Sequence, residues 1–219
     1  MMKYSTVIFD FDYTLGDTTE GIIESISYAL SQMGQSVPDR EQMRKTIGMS
    51  LTKTYAFLTG DESKEKADHF ARLFKEKADK VMTASATMYP EAVFLLKELK
   101  RQHIKTGIVT TKYRHRIEGI LAKCGMTDYI DGIIGSDNVK IEKPNPQGLL
   151  AMVMLLENDS FVSQVLYVGD SLIDAETAQN AGVDFAAVTT GTTSAAEFSA
   201  FPHIGIADNL GQLARLYIL

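Results

Sequence analysis

Short apolar runs alternate with amphipathic segments over most of this 219-residue chain. The apolar runs are typical of buried strands, and segments with apolar residues every three or four positions are typical of helices. The predicted strands lie within 4–9, 104–111, 132–135, 164–170, 184–190 and 204–207. Predicted helices follow them, including one that begins at Pro90, one that ends near Cys124, and others over 146–157, 171–181 and the end of the chain. This alternation predicts an α/β fold with a Rossmann-like, doubly wound parallel sheet.

Residues 16–82 break the alternation, because they contain helical patterns and no convincing strand. One helix is predicted from Ile22 to Met33, with Asp17 and Glu20 as a cap-like pair at its start and Gly34 at its end. Helical pieces broken near Gly48 follow over 39–58, and a longer helix over 61–82. We therefore predict a Rossmann-like core of residues 1–15 and 83–219 with an inserted helical cap domain, 16–82. The small, polar segment 83–89 is the predicted hinge.

Composition and charge restrict the partners that we expect. The formal charge is −6, from 22 Lys and Arg against 28 Asp and Glu, so nothing favours nucleic acid or an anionic membrane. The longest apolar run, 148–156, is far too short to span a membrane. Cys124 is the only cysteine, and the strand pattern near the amino terminus leaves no room for a signal peptide, so a cytoplasmic location is expected. The sequence predicts no oligomeric state.

Acidic residues follow two of the predicted strands. Asp10 and Asp12 stand at positions i and i+2 of an extended segment, where both side chains point to the same face and repel each other. A bound cation would relieve the repulsion, and a turn begun by Asp12 explains the pair equally well. Asp170 ends a later strand and Asp174 lies one turn into the next helix. Four carboxylates converging from two strand ends favour a Mg²⁺ site.

Two further residues suit phosphate chemistry at the same edge. The segment 110–112 ends the strand that begins near 104, and Lys143 precedes Pro144, which disfavours helix at Lys143. Taken alone, Thr110 is an ordinary strand residue and Lys143 an ordinary surface lysine. Beside Mg²⁺, a hydroxyl and an ammonium are the groups that a transferring phosphoryl group needs around its oxygens.

Four segments, "VIFDFDYTL", "GIVTT", "KPNP" and "VGDSLID", occur in the order of the motifs of haloacid dehalogenase-like hydrolases, which the chain resembles from end to end. More narrowly it resembles the phosphoglycolate phosphatase-like branch, with its helical cap. The resemblance implies that Asp10 is the nucleophile and Asp12 the general acid and base. It implies that Mg²⁺ is bound by Asp10, the Asp12 carbonyl and Asp170, with support from Asp174. It also implies that Thr110, Thr111 and Lys143 hold the phosphate of a small phosphorylated metabolite.

One position departs from the family pattern, since Tyr13 stands where these proteins usually have glycine. We expect Tyr13 to narrow the entrance of the site or to alter cap closure. Specificity is expected in the cap, near 44–55, where Arg44, Lys45 and Lys53 are candidates for binding a second anionic group of the substrate. Ordinary surface charge on helices is the alternative for each of them.

The expected function is a Mg²⁺-dependent phosphatase for a small phosphate monoester, acting through an aspartyl-phosphate. The alternatives are a sugar phosphomutase of the β-phosphoglucomutase type, an inorganic pyrophosphatase, and a non-catalytic phosphometabolite-binding module. Gly169 argues mildly against the mutase, because that branch is associated with an acidic residue there.

Overall fold

The computed structural model describes residues 4–157 and 164–218, and the chain forms two compact units. The first unit comprises residues 1–17 and 88–219, and the second comprises Thr18–Thr87.

The first unit is built on a six-stranded sheet in which all the paired strands are parallel. Its strands are β1 (Thr6–Phe9), β4 (Lys105–Val109), β5 (Gly132–Ile134), β6 (Val165–Gly169), β7 (Asp184–Val188) and β8 (Gly205–Ala207). Their order is β5-β4-β1-β6-β7-β8. The sheet confirms the predicted α/β fold, and each strand lies within its predicted range.

Helices cover the sheet of the first unit. They are α5 (Pro90–Arg101), α6 (Arg114–Cys124), α7 (Gln147–Glu157), α8 (Leu172–Ala181), α9 (Ala195–Phe198) and α10 (Leu210–Leu213), with 3-10 turns at Thr127–Tyr129 and Ser136–Asn138 and a π-helical turn at Ala214–Ile218. Ile8 and Tyr167 pack in one core cluster with residues of α7 and α8. Because side chains alternate along a strand, Val7 and Phe9, also buried, point to the opposite face. Strands buried on both faces explain the nearly continuous apolar runs of the sequence.

The connections between strands change direction beside β1. The chain places β4 and β5 on one side of β1 and β6, β7 and β8 on the other. In sheets of this kind the crevice beyond the carboxyl ends of the strands at this reversal is where ligands bind. Asp10 directly follows β1 and Asp170 directly follows β6, so the topology brings both carboxylates to that crevice.

The second unit contains four helices, α1 (Thr19–Gln32), α2 (Arg40–Arg44), α3 (Leu51–Thr59) and α4 (Lys64–Ser85). Helix α1 packs against α4, which buries an apolar stripe that includes Phe70, Phe74 and Met82. Gly34, with φ of 66°, follows the end of α1 as predicted.

Two local predictions near the ends of residues 16–82 are wrong. The N-cap residue of the first helix is Thr18 rather than Asp17, no side-chain capping hydrogen bond forms there, and Glu20 forms an ion pair with Arg40. Two short strands, β2 (Gly16–Asp17) and β3 (Thr87–Met88), pair where no strand was expected. Helix α4 continues to Ser85, so residues 83–85 of the predicted hinge segment are helical, and the hinge itself stays a prediction. Such short strands and helix ends depend on backbone pairing and packing between distant segments, which local periodicity does not report.

No helix among the described residues is both long enough and apolar enough to cross a membrane.

Candidate active site

The four predicted aspartates are buried in the first unit. Asp10, Asp12, Asp170 and Asp174 are each at most 6% exposed. The backbone N–H of Asp10 donates to the carbonyl of Val168, which ties the end of β1 to the end of β6. Asp174 lies in the first turn of α8, where the Ser171 cap orients it. Carboxyl groups from two strand ends and one helix thus share a single buried site.

Lys143 links two of these carboxylates. Its Nζ donates to Asp10 Oδ1 at 2.9 Å and to Asp174 Oδ1 at 2.7 Å, and its side chain is only 6% exposed. The same ammonium lies 3.2 Å from the hydroxyl of Tyr167, on β6. Lys143 is therefore a buried part of the acidic cluster, and the alternative of an ordinary surface lysine is wrong.

Burial and neighbouring charges shift the pKa values of the groups in this cluster. Burial raises the pKa of Asp10 to about 7; the Lys143 ammonium opposes this rise, and the charges of Asp174 and Asp12 add to it. Burial, together with Asp174 and Asp10, holds the pKa of Asp170 well above its usual range. Burial alone would lower the pKa of Lys143, but the carboxylates of Asp10 and Asp174 outweigh it and hold that pKa well above its ordinary value. Strongly perturbed groups in one crevice are typical of functional sites.

Lys112 supplies a second ammonium group in the site, a role that its local sequence does not predict. Its Nζ lies 2.6 Å from Asp12 Oδ2, and both side chains are buried. The only local signal for it was its position in the polar segment that ends β4. A lysine there has the same sequence signature as a solvated loop residue, and only the tertiary fold brings it to Asp12.

The donor set of this site fits a divalent cation. Oxygen atoms of Asp10, Asp170 and Asp174 all lie within 4.8 Å of one another, and carboxylate oxygens are the ligands that Mg²⁺ prefers. Four carboxylates and the ammonium groups of Lys112 and Lys143 carry a formal charge of −4 + 2 = −2. A single Mg²⁺ would balance that charge.

Asp170 and Asp174 differ in how they are held. Asp170 Oδ1 accepts a hydrogen bond from the buried hydroxyl of Thr14, 3.2 Å away. Both oxygens of Asp174 already have partners, Oδ1 with Lys143 and Tyr167 and Oδ2 with the amide and hydroxyl of Ser171. Asp174 is thus well placed to orient Lys143. Asp10 and Asp170 accept fewer side-chain hydrogen bonds than Asp174 does.

The two predicted threonines follow β4 in the first unit, and the predicted cap lysine lies in the second unit. Thr110 is buried directly after β4, and its hydroxyl oxygen accepts the N–H of Lys112 at 3.2 Å. Thr111, next to it, is half-buried. Lys45 is exposed at the end of α2 in the second unit, and its role stays a prediction.

Tyr13 adopts the backbone conformation that explains why glycine is usual at this position. Its φ is 57°, in the left-handed region that side chains disfavour, and the residue is 5% exposed. Its N–H donates to the carbonyl of Gly16 at 2.8 Å, and its own carbonyl accepts the hydroxyl of Thr190. These two bonds hold the turn that follows Asp12 in a conformation disfavoured for tyrosine.

Tyr167 is buried and contacts Lys143 and Asp174. Replacing it with phenylalanine should test how much the orientation of these two groups matters, because the charge of the site does not change. Its hydroxyl lies 2.8 Å from Asp174 Oδ1 and 3.2 Å from the carbonyl of Val109. We expect Tyr167→Phe to lower kcat/KM about 10-fold, because Lys143 and Asp174 lose a group that orients them. We also expect it to lower the free energy of unfolding by about 1–2 kcal/mol. Steady-state kinetics and urea denaturation measure the two effects.

Tyr4→Phe is the matched control. The hydroxyl of Tyr4 also donates to a carboxylate, Asp184 Oδ2, at the same 2.8 Å, but at the opposite edge of the sheet. This variant should lose similar stability and keep full activity. Equal activity losses in the two variants would show that Tyr167 acts only through stability.

Comparison with known proteins assigns the family. Residues 7–188 match the model of the haloacid dehalogenase-like hydrolases. Pyrophosphatase PpaX of Bacillus cereus (strain B4264) is 31% identical over 212 residues, which are 97% of this chain and 95% of that protein.

Solved structures agree with that assignment. A protein from Bacteroides fragilis assigned to the haloacid dehalogenase-like hydrolases is 39% identical and superposes with a TM-score of 0.92, over 96% of this chain and 100% of that one. A predicted phosphoglycolate phosphatase from Haemophilus somnus 129pt is 21% identical, with a TM-score of 0.84 over 99% of each chain, and shares the fold. The chain therefore belongs to the haloacid dehalogenase-like hydrolases and is a hydrolase of the phosphatase class.

Proposed function

We propose that this protein is a Mg²⁺-dependent phosphatase that hydrolyses a small phosphate monoester through an aspartyl-phosphate. The observation that best supports the proposal is that two buried aspartates, two positions apart in the chain, pair with two different ammonium groups. Lys143 contacts Asp10, and Lys112 contacts Asp12. A site that only bound phosphate would have no need for a second carboxylate placed beside the first.

The two aspartates divide the reaction between them. A carboxylate oxygen of Asp10 attacks phosphorus, and the bond from phosphorus to the leaving oxygen breaks while Asp12 gives that oxygen a proton. A water molecule then attacks the phosphorus of the aspartyl-phosphate and passes a proton to Asp12. The bond between phosphorus and the Asp10 oxygen breaks, which frees inorganic phosphate and restores both carboxyl groups.

The surrounding residues hold the phosphate and the nucleophile. Lys143 fixes the Asp10 carboxylate and supplies positive charge for the phosphoryl oxygens. The hydroxyl oxygen of Thr110 accepts a hydrogen bond from the backbone N–H of Lys112. The hydroxyl hydrogen of Thr110 is therefore available for a hydrogen bond to a phosphoryl oxygen. Mg²⁺, held by Asp10, Asp170 and the carbonyl of Asp12, would supply charge that stabilises the phosphoryl group in the transition state.

Inorganic pyrophosphate is the second candidate substrate. The observation that favours it is the 31% identity, over nearly the whole chain, to a protein named pyrophosphatase. The likeness to the predicted phosphoglycolate phosphatase, at 21% identity, supports the shared fold and not a shared substrate.

The close packing at Gly169 weighs against the sugar phosphomutase. A Cβ at position 169 would lie 2.5 Å from Cγ and 2.7 Å from Oδ2 of Asp174. An acidic side chain there would displace the residue that orients Lys143, so we favour hydrolysis.

Phosphate release from a panel of substrates tests the proposal. The purified protein with Mg²⁺ is given phosphoglycolate, pyrophosphate, sugar phosphates and p-nitrophenyl phosphate, and both inorganic phosphate and the remaining substrate are measured. A monoesterase releases one phosphate for each substrate consumed, and a pyrophosphatase releases two. Isomerisation of a sugar phosphate without phosphate release would instead identify a mutase, and no turnover of any kind would identify a binding module.

We expect the reaction to serve cytoplasmic metabolism, in keeping with the single cysteine.

The second unit is proposed to act as a lid that selects the substrate, with Lys45 meeting an anionic group distant from the scissile phosphate. If so, Lys45→Ala should raise KM about 5-fold for phosphoglycolate, because a partly exposed ion pair contributes about 1 kcal/mol. The KM for p-nitrophenyl phosphate, which has no second anionic group, should not change. Lys64→Ala, an exposed lysine at the start of α4, is the control. Equal effects of the two substitutions would argue against a role for Lys45.

A further inference from the structure

The ion pair between Lys112 and Asp12 indicates a role for Lys112 that depends on the proposed function. Lys112 lies three residues beyond the end of β4 and is buried, and its Nζ is 2.6 Å from Asp12 Oδ2. A lysine side chain is buried this deeply only when its charge is paired. Its partner is the carboxyl group to which the proposed reaction assigns both proton transfers.

The backbone of Lys112 is fixed on both sides. Its N–H donates to Thr110 Oγ1 at 3.2 Å, and its carbonyl accepts the N–H of Ser136 at 3.0 Å. The second bond depends on Gly135, where a Cβ would lie 2.5 Å from the Lys112 carbonyl oxygen. Only glycine lets the chain after β5 approach so closely. The ammonium group therefore extends toward Asp12 from an anchored base.

The two lysines of the site are not interchangeable. Lys143 contacts Asp10 and Asp174, and Lys112 contacts Asp12. Among the ion pairs seen in the described part of the chain, each of the two proposed catalytic aspartates has its own ammonium partner. This division suggests that the nucleophile and the proton-transfer group are oriented independently.

We propose that Lys112 is a positioning residue that holds the Asp12 carboxyl group in the orientation needed to protonate the leaving oxygen. A carboxyl group turns about two side-chain bonds, and a charge-assisted hydrogen bond to one of its oxygens fixes both rotations. Correct orientation matters most when the leaving group is basic and must receive a proton as its bond to phosphorus breaks.

Two substrates of similar size test this role. The p-nitrophenolate ion leaves with little need of a proton, whereas the alkoxide of benzyl phosphate needs one. We expect Lys112→Met to lower kcat/KM for benzyl phosphate about 100-fold and for p-nitrophenyl phosphate less than 10-fold. The ratio kcat/KM covers the steps up to the formation of the aspartyl-phosphate, so later hydrolysis does not affect the comparison. Lys112→Arg, which keeps the charge, should recover part of the loss.

The controls separate positioning from other roles. Lys143→Met should lower kcat/KM for both substrates equally, since Asp10 must attack either one. The double variant Asp12→Asn with Lys112→Met should be no slower than Asp12→Asn alone, because Lys112 acts through Asp12. Equal losses for the two substrates in Lys112→Met, or additive losses in the double variant, would overturn the proposal and point to direct phosphate binding or to a purely structural role.

Failure of this proposal can be told from failure of the proposed function. If Asp12→Asn shows no preference for the better leaving group, the acid role of Asp12 itself is wrong. If Asp12→Asn shows the preference and Lys112→Met does not, only the role of Lys112 is wrong. Should Lys112→Met fail to fold, Lys112→Arg provides the same comparison, because its planar guanidinium shifts the bond to Asp12. It is then expected to slow benzyl phosphate more than p-nitrophenyl phosphate, and equal slowing would count against the proposal.

Discussion

Asp10→Asn should abolish turnover while leaving the fold intact. An amide cannot serve as the attacking oxygen nucleophile, so we expect phosphate release to fall at least about 10⁴-fold. The side chain keeps its size, and Lys143 keeps its bond to Asp174. Phosphate release from p-nitrophenyl phosphate and circular dichroism of the purified variant measure activity and fold.

The same substitution should stabilise the metal-free protein at high pH. Burial raises the pKa of Asp10 to about 7, from an ordinary 3.8, so between these values the folded state binds a proton that the unfolded state does not. The stability of the wild-type protein must therefore fall as pH rises through this window, and the full cost is present above about 7. Asparagine has no charge to bury. In EDTA at pH 8 we expect Asp10→Asn to be more stable by about 1–3 kcal/mol, with the difference disappearing toward pH 4.

Asp128→Asn, at an exposed position, is the control for both measurements and should match the wild-type protein. Substantial phosphatase activity in folded Asp10→Asn protein would show that another group is the nucleophile. A stability difference that does not change between pH 5 and pH 8 would show that the Asp10 carboxyl is not the titrating group.

Removal of the proposed Mg²⁺ ion should have the second large effect. Dialysis against EDTA is expected to lower the rate at least about 10³-fold, and added Mg²⁺ should restore it, because the site otherwise holds a formal charge of −2 around Asp10, the proposed nucleophile. Mg²⁺ should also raise the melting temperature, since a ligand that binds only the folded state stabilises it. Full activity in demetallated protein would rule out the metal site.

The variant Asp170→Asn tests whether Mg²⁺ acts by binding at the proposed site or acts elsewhere on the protein. We expect this variant to need at least about 10-fold more Mg²⁺ for half-maximal activity and to lose most of the Mg²⁺-dependent rise in melting temperature. The hydroxyl of Thr14 can still donate to the asparagine oxygen, so local packing should survive. An unchanged Mg²⁺ requirement would place the ion elsewhere.

Much of the core fold and part of the site followed from the sequence alone. Apolar runs such as 164–170 identify strands buried on both faces, because a parallel sheet covered by helices leaves no polar side. Polar residues directly after such runs must then lie at one edge of the sheet. Asp10, Asp170 and Thr110 were found in this way, since strand ends meet wherever parallel strands pair.

The tertiary structure decided which charges meet. Nothing in the local pattern distinguishes Lys112 from a solvated lysine, yet the chain after β5 holds its backbone and directs it to Asp12. Tyr167 appeared only as an apolar strand residue, and the packing of α8 on β6 turned its hydroxyl into a partner of Asp174. Periodicity along the chain reports burial and secondary structure. The partner of a buried charge depends on segments far apart in sequence, and only their packing in three dimensions determines it.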